Sequence, residues 1–163
     1  MAKNKEEKTN VMRVLEQKKI AYSAHTYPHE EGVAVDGVTV AQSMGFDPAI
    51  VFKTLVARGA SKQYYVFDVP VAENLDLKKA AKAVGEKSIE MLHQKELLPL
   101  TGYVHGGCSP VGMKKLFPTV IDASAENLET MIVSAGKIGY QVELSPRDLA
   151  ALVRAKFADI IVE

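Results

Sequence analysis

The segment Ile50-Val51-Phe52-Lys53-Thr54-Leu55-Val56 constrains this chain most, because it is a nearly continuous apolar run broken by one ammonium group. Its β-branched and aromatic residues favour a strand, whose side chains alternate between two faces. That alternation puts Lys53 on the same face as Val51 and Leu55. Burial lowers a lysine's pKa, and a cation fixed in a water-poor cleft can hold an anionic substrate. The plainer reading is an edge strand guarded by one charge, or a lysine that lays its stem on apolar surface and keeps its head in water.

Short elements surround this strand. Thr9 or Asn10 can cap a first helix that buries Val11, Val14 and Leu15. Residues 21–27 read as a strand ended by Pro28, residues 30–37 as loop, and residues 39–44 as a short helix stopped by Gly45. The Lys53 strand, residues 50–58, pairs with residues 63–69 across Gly59-Ala60-Ser61-Lys62 in a hairpin-like arrangement. Asp76 can cap a helix reaching Val84, with Gly85 beyond its end and Leu77, Ala80, Ala81 and Val84 as its apolar stripe. Residues 119–123, 130–134 and 140–144 read as strands. Ser145-Pro146-Arg147-Asp148 opens a helix running to about Arg154, with cap residue, first-turn proline and first-turn acid in order. Residues 158–162 then return to the sheet. This alternation predicts an α+β fold with a closed or strongly curved mixed sheet, in place of regular βαβ winding.

Composition narrows the function. The 163 residues, 47% of them hydrophobic and 25% charged, suit one domain spanning 1–163, with 1–8 as a flexible N-terminal extension. No apolar run approaches the ~20 residues needed to span a bilayer, and the charged N-terminus lacks a signal peptide's apolar stretch. The single cysteine, Cys108, excludes an internal disulfide and suits a reducing cytoplasm. Twenty basic residues balance twenty acidic ones, so contact with nucleic acid depends on local patches, and DNA is not an expected partner. Lys78, Lys79 and Lys82 share one helix side, and Lys114, Lys115 and Lys137 add local charge; such groups are usually a solvated face.

The second informative feature is the loop Gly102-Tyr-Val-His-Gly-Gly-Cys-Ser-Pro-Val-Gly112. Adjacent glycines let backbone approach a ligand closely, and exposed amides can stabilise an oxyanion. Glycine and proline equally mark a structural turn. His105 and Cys108 suggest a Cys–His nucleophile, although such pairs are usually assembled from distant segments. His25, His29, His105 and Cys108 are metal-ligand types, but Pro28 keeps His25 and His29 off one helical face. No metal and no cofactor is expected.

Lys53 in Val-Phe-Lys-Thr-Leu, His25-Thr26-Tyr27 and Gly106-Gly107-Cys108-Ser109-Pro110 form an ordered set of blocks. Pro70-Val71-Ala72, Leu75-Asp76-Leu77-Lys78-Lys79, Pro118-Thr119-Val120-Ile121-Asp122 and Lys156-Phe157-Ala158-Asp159-Ile160 complete it. In that order the chain resembles the YbaK/EbsC family of aminoacyl-tRNA deacylases across roughly residues 9–160, which implies an α+β fold with a curved, barrel-like mixed sheet surrounded by helices. The superfamily includes the editing domain inserted in bacterial prolyl-tRNA synthetases.

The resemblance implies release of a mischarged amino acid, typically cysteine from Cys-tRNA(Pro), at the tRNA 3′ end, with a complex with prolyl-tRNA synthetase as a further partner. Editing of this kind exists because a synthetase pocket rejects a near-isosteric amino acid poorly by binding alone. It also implies Lys53 as the essential residue, with Tyr27, Gly106, Gly107, Pro110, Ser134 and Gln141 lining the substrate site. In the cysteine editors the substrate's own thiol attacks its ester, giving a thiolactone, with loop amides at Gly106 or Gly107 on the oxyanion. Lys53 then holds the 3′-terminal phosphate or ribose region, or, desolvated, helps move a proton.

Two departures bear on amino-acid preference, leaving Ala- or Ser-type specificity open. Gln141 replaces a usual aspartate, with Glu143 on the same strand face as a substitute, and Ala135 replaces a usual glycine. The rival classes are a non-catalytic module that binds tRNA or prolyl-tRNA synthetase, and a Cys–His hydrolase of small esters.

Overall fold

The computed structural model describes residues 8–163; the expected N-terminal extension lies, apart from Lys8, outside the described residues. Thr9 accepts a hydrogen bond from Met12 N–H at 3.2 Å and so starts α1 (Asn10–Gln17), which buries Val11, Met12 and Leu15. The chain continues through β1 (Tyr22–Thr26), α2 (Gly37–Met44), β2 (Phe52–Gly59), β3 (Tyr64–Pro70) and α3 (Leu77–Val84). There follow β4 (Ile89–Met91), α4 (Gln94–Thr101), β5 (Thr119–Asp122), β6 (Met131–Ser134), β7 (Tyr140–Leu144), α5 (Pro146–Val153) and β8 (Lys156–Ala158). The fold is mixed α+β.

The strands form a three-stranded antiparallel sheet, β1-β7-β6, and a five-stranded mixed sheet, β4-β2-β3-β5-β8. Parallel pairing of β5 with β3 and with β8 makes the second sheet mixed. The two sheets meet at a single parallel bridge, Val51 to Ile132, and the described strands do not close into a barrel. That bridge sets β6 beside the start of β2.

Two apolar clusters hold the sheets to their helices. Val11 and Leu15 of α1 and Leu149 of α5 pack with Val133, Val142 and Leu144, all at 0–2% exposure. Truncating Leu149 to alanine would cost about 2–5 kcal/mol. On the other sheet, Ala80 and Ala81 of α3 lie against Phe67, Val69, Val120 and Ile160. Their small side chains let the helix approach the strands closely.

Several expectations need adjustment. Asp36 caps α2 through Thr39 N–H, so that helix starts two residues before the expected Thr39. The returning strand is β8, Lys156–Ala158; beyond it Ile161 makes only an isolated bridge with Leu75. Helix α4 was not expected, because Pro99 lies inside it and His93, at its cap position, offers no side-chain hydrogen bond. In eight residues the proline removes only one donor, which a short helix tolerates.

Candidate active site

Lys53 follows the bridge that joins the sheets. Its backbone pairs with Val69, and Thr54 pairs with Asp68. The Lys53 side chain is half-buried and makes no hydrogen bond or ion pair with the described residues. Burial lowers its pKa, while the carboxylates of Asp36 and Glu73 act in the opposite direction.

A cavity of about 410 Å³ opens over this lysine. Lys53, Thr54 and Leu55 form one wall, Ser134 and Gln141 of the three-stranded sheet another, and Tyr27 closes the end of β1. Asp36 and Gly37 enter from the start of α2, and His105, Gly106 and Cys108 from the glycine loop. The cavity therefore sits where the sheets meet, and its walls come from both.

Gln141 is 6% exposed, and its Oε1 is buried without a hydrogen-bond partner. A buried acceptor left unpaired costs roughly 1–3 kcal/mol, which a donor on a bound ligand would recover. Ser134 Oγ accepts from Gly136 N–H at 3.0 Å, so this hydroxyl fixes the β6–β7 turn as well as lining the cavity. Tyr27 is 5% exposed, and its backbone N–H donates to Gly139 O at 3.0 Å.

The glycine loop has a split role. Gly106 has φ +89°, and a Cβ there would lie 2.7 Å from the Ala34 Cβ. Only glycine lets this loop press against the segment before Asp36. Gly107 lies against the backbone of Lys137 and Ile138, outside the cavity, and its N–H donates to Val104 O at 3.0 Å. Of the two candidate amides, Gly106 is thus the one left without a backbone acceptor. Pro110 lines a separate small apolar hollow with Val111 and Phe117.

Glu143 does not substitute for an acid at Gln141. His25 Nε2 lies 2.8 Å from one carboxylate oxygen and Thr130 Oγ1 donates to the other at 2.5 Å, so both are occupied. Those bonds lower its pKa, Thr130 foremost. Ala135 is fully buried in the core and does not line the cavity.

A family model described as an aminoacyl-tRNA editing domain matches residues 32–152. The chain belongs to the aminoacyl-tRNA editing domain family. It is 45% identical over 161 residues, 98% of both chains, to an Enterococcus faecalis protein provisionally named a Cys-tRNA(Pro)/Cys-tRNA(Cys) deacylase, EbsC. A solved structure provisionally described as a trans-editing enzyme for prolyl-tRNA synthetase superposes with TM-score 0.79 at 26% identity, covering 94% of this chain and 95% of that one. A hypothetical protein of known structure shares the fold with TM-score 0.82 at 20% identity, over 93% and 99% of the two chains.

The editing domain also contains a buried group that the sequence reading passed over. Asp68 is 0% exposed, accepts from Thr54 Oγ1 at 2.6 Å through Oδ1, and leaves Oδ2 unpaired. Burial pushes its pKa up to about 7. The signal was available, because Asp68 interrupts the apolar strand Tyr64–Pro70 as Lys53 interrupts its neighbour. Cys108 lies in the same region. Burial foremost, then the Asp68 charge, pushes its thiol up to about 12. A nucleophilic cysteine must be a thiolate near neutral pH, and this environment opposes one.

Proposed function

We propose that the chain is a trans-editing aminoacyl-tRNA deacylase that releases cysteine from Cys-tRNA(Pro), acting as one editing unit. The observation that carries this reading is the cavity at the sheet junction, where an unpaired, half-buried Lys53 faces a wall containing the unpaired amide oxygen of Gln141. A free cation and a free acceptor in one small cavity suit a ligand bearing both an anion and a cationic donor. The 3′-terminal phosphate and the α-ammonium of an aminoacyl ester supply that pair. Gln141 accepts from the ammonium, Lys53 holds the phosphate or ribose end, and Tyr27 and Ser134 bound the side-chain space. The Gly106 amide faces the ester oxygen as charge develops on it.

The covalent attack belongs to the substrate. Its thiol sulfur bonds to its own ester carbonyl carbon, the bond from that carbon to the ribose oxygen breaks, and the thiol proton passes to the departing oxygen. A thiolactone and free tRNA result. Tethering sulfur near the carbon removes most of the entropy of encounter, so the protein needs only to orient and to stabilise charge. The raised pKa of Cys108 supports this division of labour.

The reading is tested by release rates from tRNAs charged with Cys, Ala, Ser and Pro. Fast release confined to cysteine is expected. Fast release of alanine would make the reaction hydrolytic, because the alanine side chain has no nucleophile to attack its own ester. Binding of tRNA or of prolyl-tRNA synthetase without cleavage of any ester would leave a non-catalytic module.

A further inference from the structure

Lys53 and Gln141 leave one electrostatic problem in the cavity. A substrate ammonium accepted by Gln141 shares that space with the Lys53 ammonium, and two cations in a partly desolvated cavity repel. The amide oxygen supplies a hydrogen bond but no charge to offset the repulsion.

The cavity holds a group that can. Among the described residues, Asp36 is the one carboxylate in its lining. The Asp36 charge is felt at Lys53, where it opposes the effect of burial. Glu73 acts on Lys53 in the same sense but stands outside the lining.

The backbone sets where Asp36 sits. Two residues before it, Gly106 presses so close that a Cβ there would lie 2.7 Å from the Ala34 Cβ. One residue after it, Gly37 lies against Val71, and a Cβ at Gly37 would lie 2.7 Å from Val71 Cγ1. The segment is thus pinned on two sides, by Gly106 and Val71 of the cavity wall itself. Asp36 Oδ2 accepts from Thr39 N–H at 3.2 Å and from Thr39 Oγ1 at 3.3 Å, which caps α2 and fixes the carboxylate. Its Oδ1 accepts no hydrogen bond from the described residues. Serine or asparagine would cap the helix about as well, so capping alone gives no reason for a charge here.

We propose that Asp36 is the counter-charge for the substrate α-ammonium and selects esters of free amino acids over desamino or N-blocked acyl groups. This rests on the deacylase reading above. Gln141 accepts one ammonium N–H, and Asp36 offsets the charge from the exposed start of α2. Asp36 and Lys53 together give the cavity one charge of each sign, matched to a ligand that carries an ammonium and a phosphate.

The test uses Asp36→Asn and Asp36→Ser, each of which keeps a capping oxygen and removes the charge. The probes are 3′-cysteinylamino-3′-deoxyadenosine 5′-phosphate, whose amide link resists cleavage, and its 3-mercaptopropionyl counterpart, which lacks the amino group. Calorimetry should show wild type binding the cysteinyl probe about tenfold more tightly than the desamino probe, the scale of a charge-assisted contact. Both variants should lose that preference. They should bind the desamino probe at least as tightly as wild type, because Lys53 has one neighbouring carboxylate fewer. The ratio of kcat/KM for cysteinyl over 3-mercaptopropionyl esters of tRNA(Pro) should fall about tenfold in parallel. No preference in wild type, or the same preference in the variants, would overturn the proposal. Equal weakening on both probes would overturn it too, by marking a structural change at α2. A wild type that cleaves neither ester would sink the deacylase reading alone, since the calorimetry still decides the role of Asp36.

Discussion

Thr54 Oγ1 lies 2.6 Å from Asp68 Oδ1, one position along β2 from Lys53, and the other oxygen of that carboxylate is buried without a partner. A carboxyl in this position is easier to bury neutral than charged. Its pKa of about 7 lies above the ordinary 3.8. In the folded state Asp68 therefore retains a proton that the unfolded chain has already released. The stability this provides is complete below about pH 4 and is lost as pH rises towards 7, amounting to roughly 4 kcal/mol at most. Asp68→Asn keeps an acceptor for Thr54 without the charge. Thermal melts should show the variant more stable by several degrees at pH 8, with the advantage gone near pH 4. Equal or lower stability at pH 8 would mean that the charge is compensated.

Cys108→Ala should leave Cys-tRNA(Pro) turnover near normal and cost about 1 kcal/mol of stability for the lost buried group. Alkylation of the native protein at pH 8 should be slow, because the thiol is held protonated by burial. Abolished turnover would transfer the attack from the substrate to the protein.

Gln141→Ala removes the unpaired acceptor of the cavity wall. With no acceptor left for the substrate ammonium, kcat/KM on Cys-tRNA(Pro) should fall about tenfold, the equivalent of ~1.4 kcal/mol. Steady-state kinetics should place most of that loss in KM. An unaltered KM would remove Gln141 from substrate binding.

Gly106→Ala and Gly45→Ala share a similar backbone cost, since both glycines have positive φ, +89° and +81°. A Cβ at Gly45 meets open space, whereas one at Gly106 lies 2.7 Å from the Ala34 Cβ. Each should lose about 1–2 kcal/mol to conformation, and Gly106→Ala a further 1–3 kcal/mol to crowding. Denaturant unfolding of the pair separates the two costs, and equal losses would show that Ala34 gives way.

Elements whose signals are local were legible in the sequence. Thr9, Asp76 and Ser145 each cap the helix assigned to them, and Gly45 and Gly85 each end one in the left-handed conformation. The β2–β3 hairpin was read from its alternation and its turn. Three-residue β4 and Pro99-containing α4 were not, because neither is long enough for a period to emerge and proline argues against helix. Lys53 stood out as a charge in an apolar run, and Asp68 could have been found in the same way. The meeting of Ser134 and Gln141 with Lys53 had no local signal and came from the family resemblance. It depends on how two separately paired sheets join at the Val51–Ile132 bridge.

The central claim is that Lys53 orients an aminoacyl ester that cleaves itself. Release of labelled cysteine from Cys-tRNA(Pro) by wild type and by Lys53→Ala tests it most directly, with thermal melts confirming that both are folded. Lys53→Ala should be slower by about a hundredfold or more, the scale on which removing an electrostatic stabiliser from a reacting centre is felt. Equal rates for the two proteins would contradict the account.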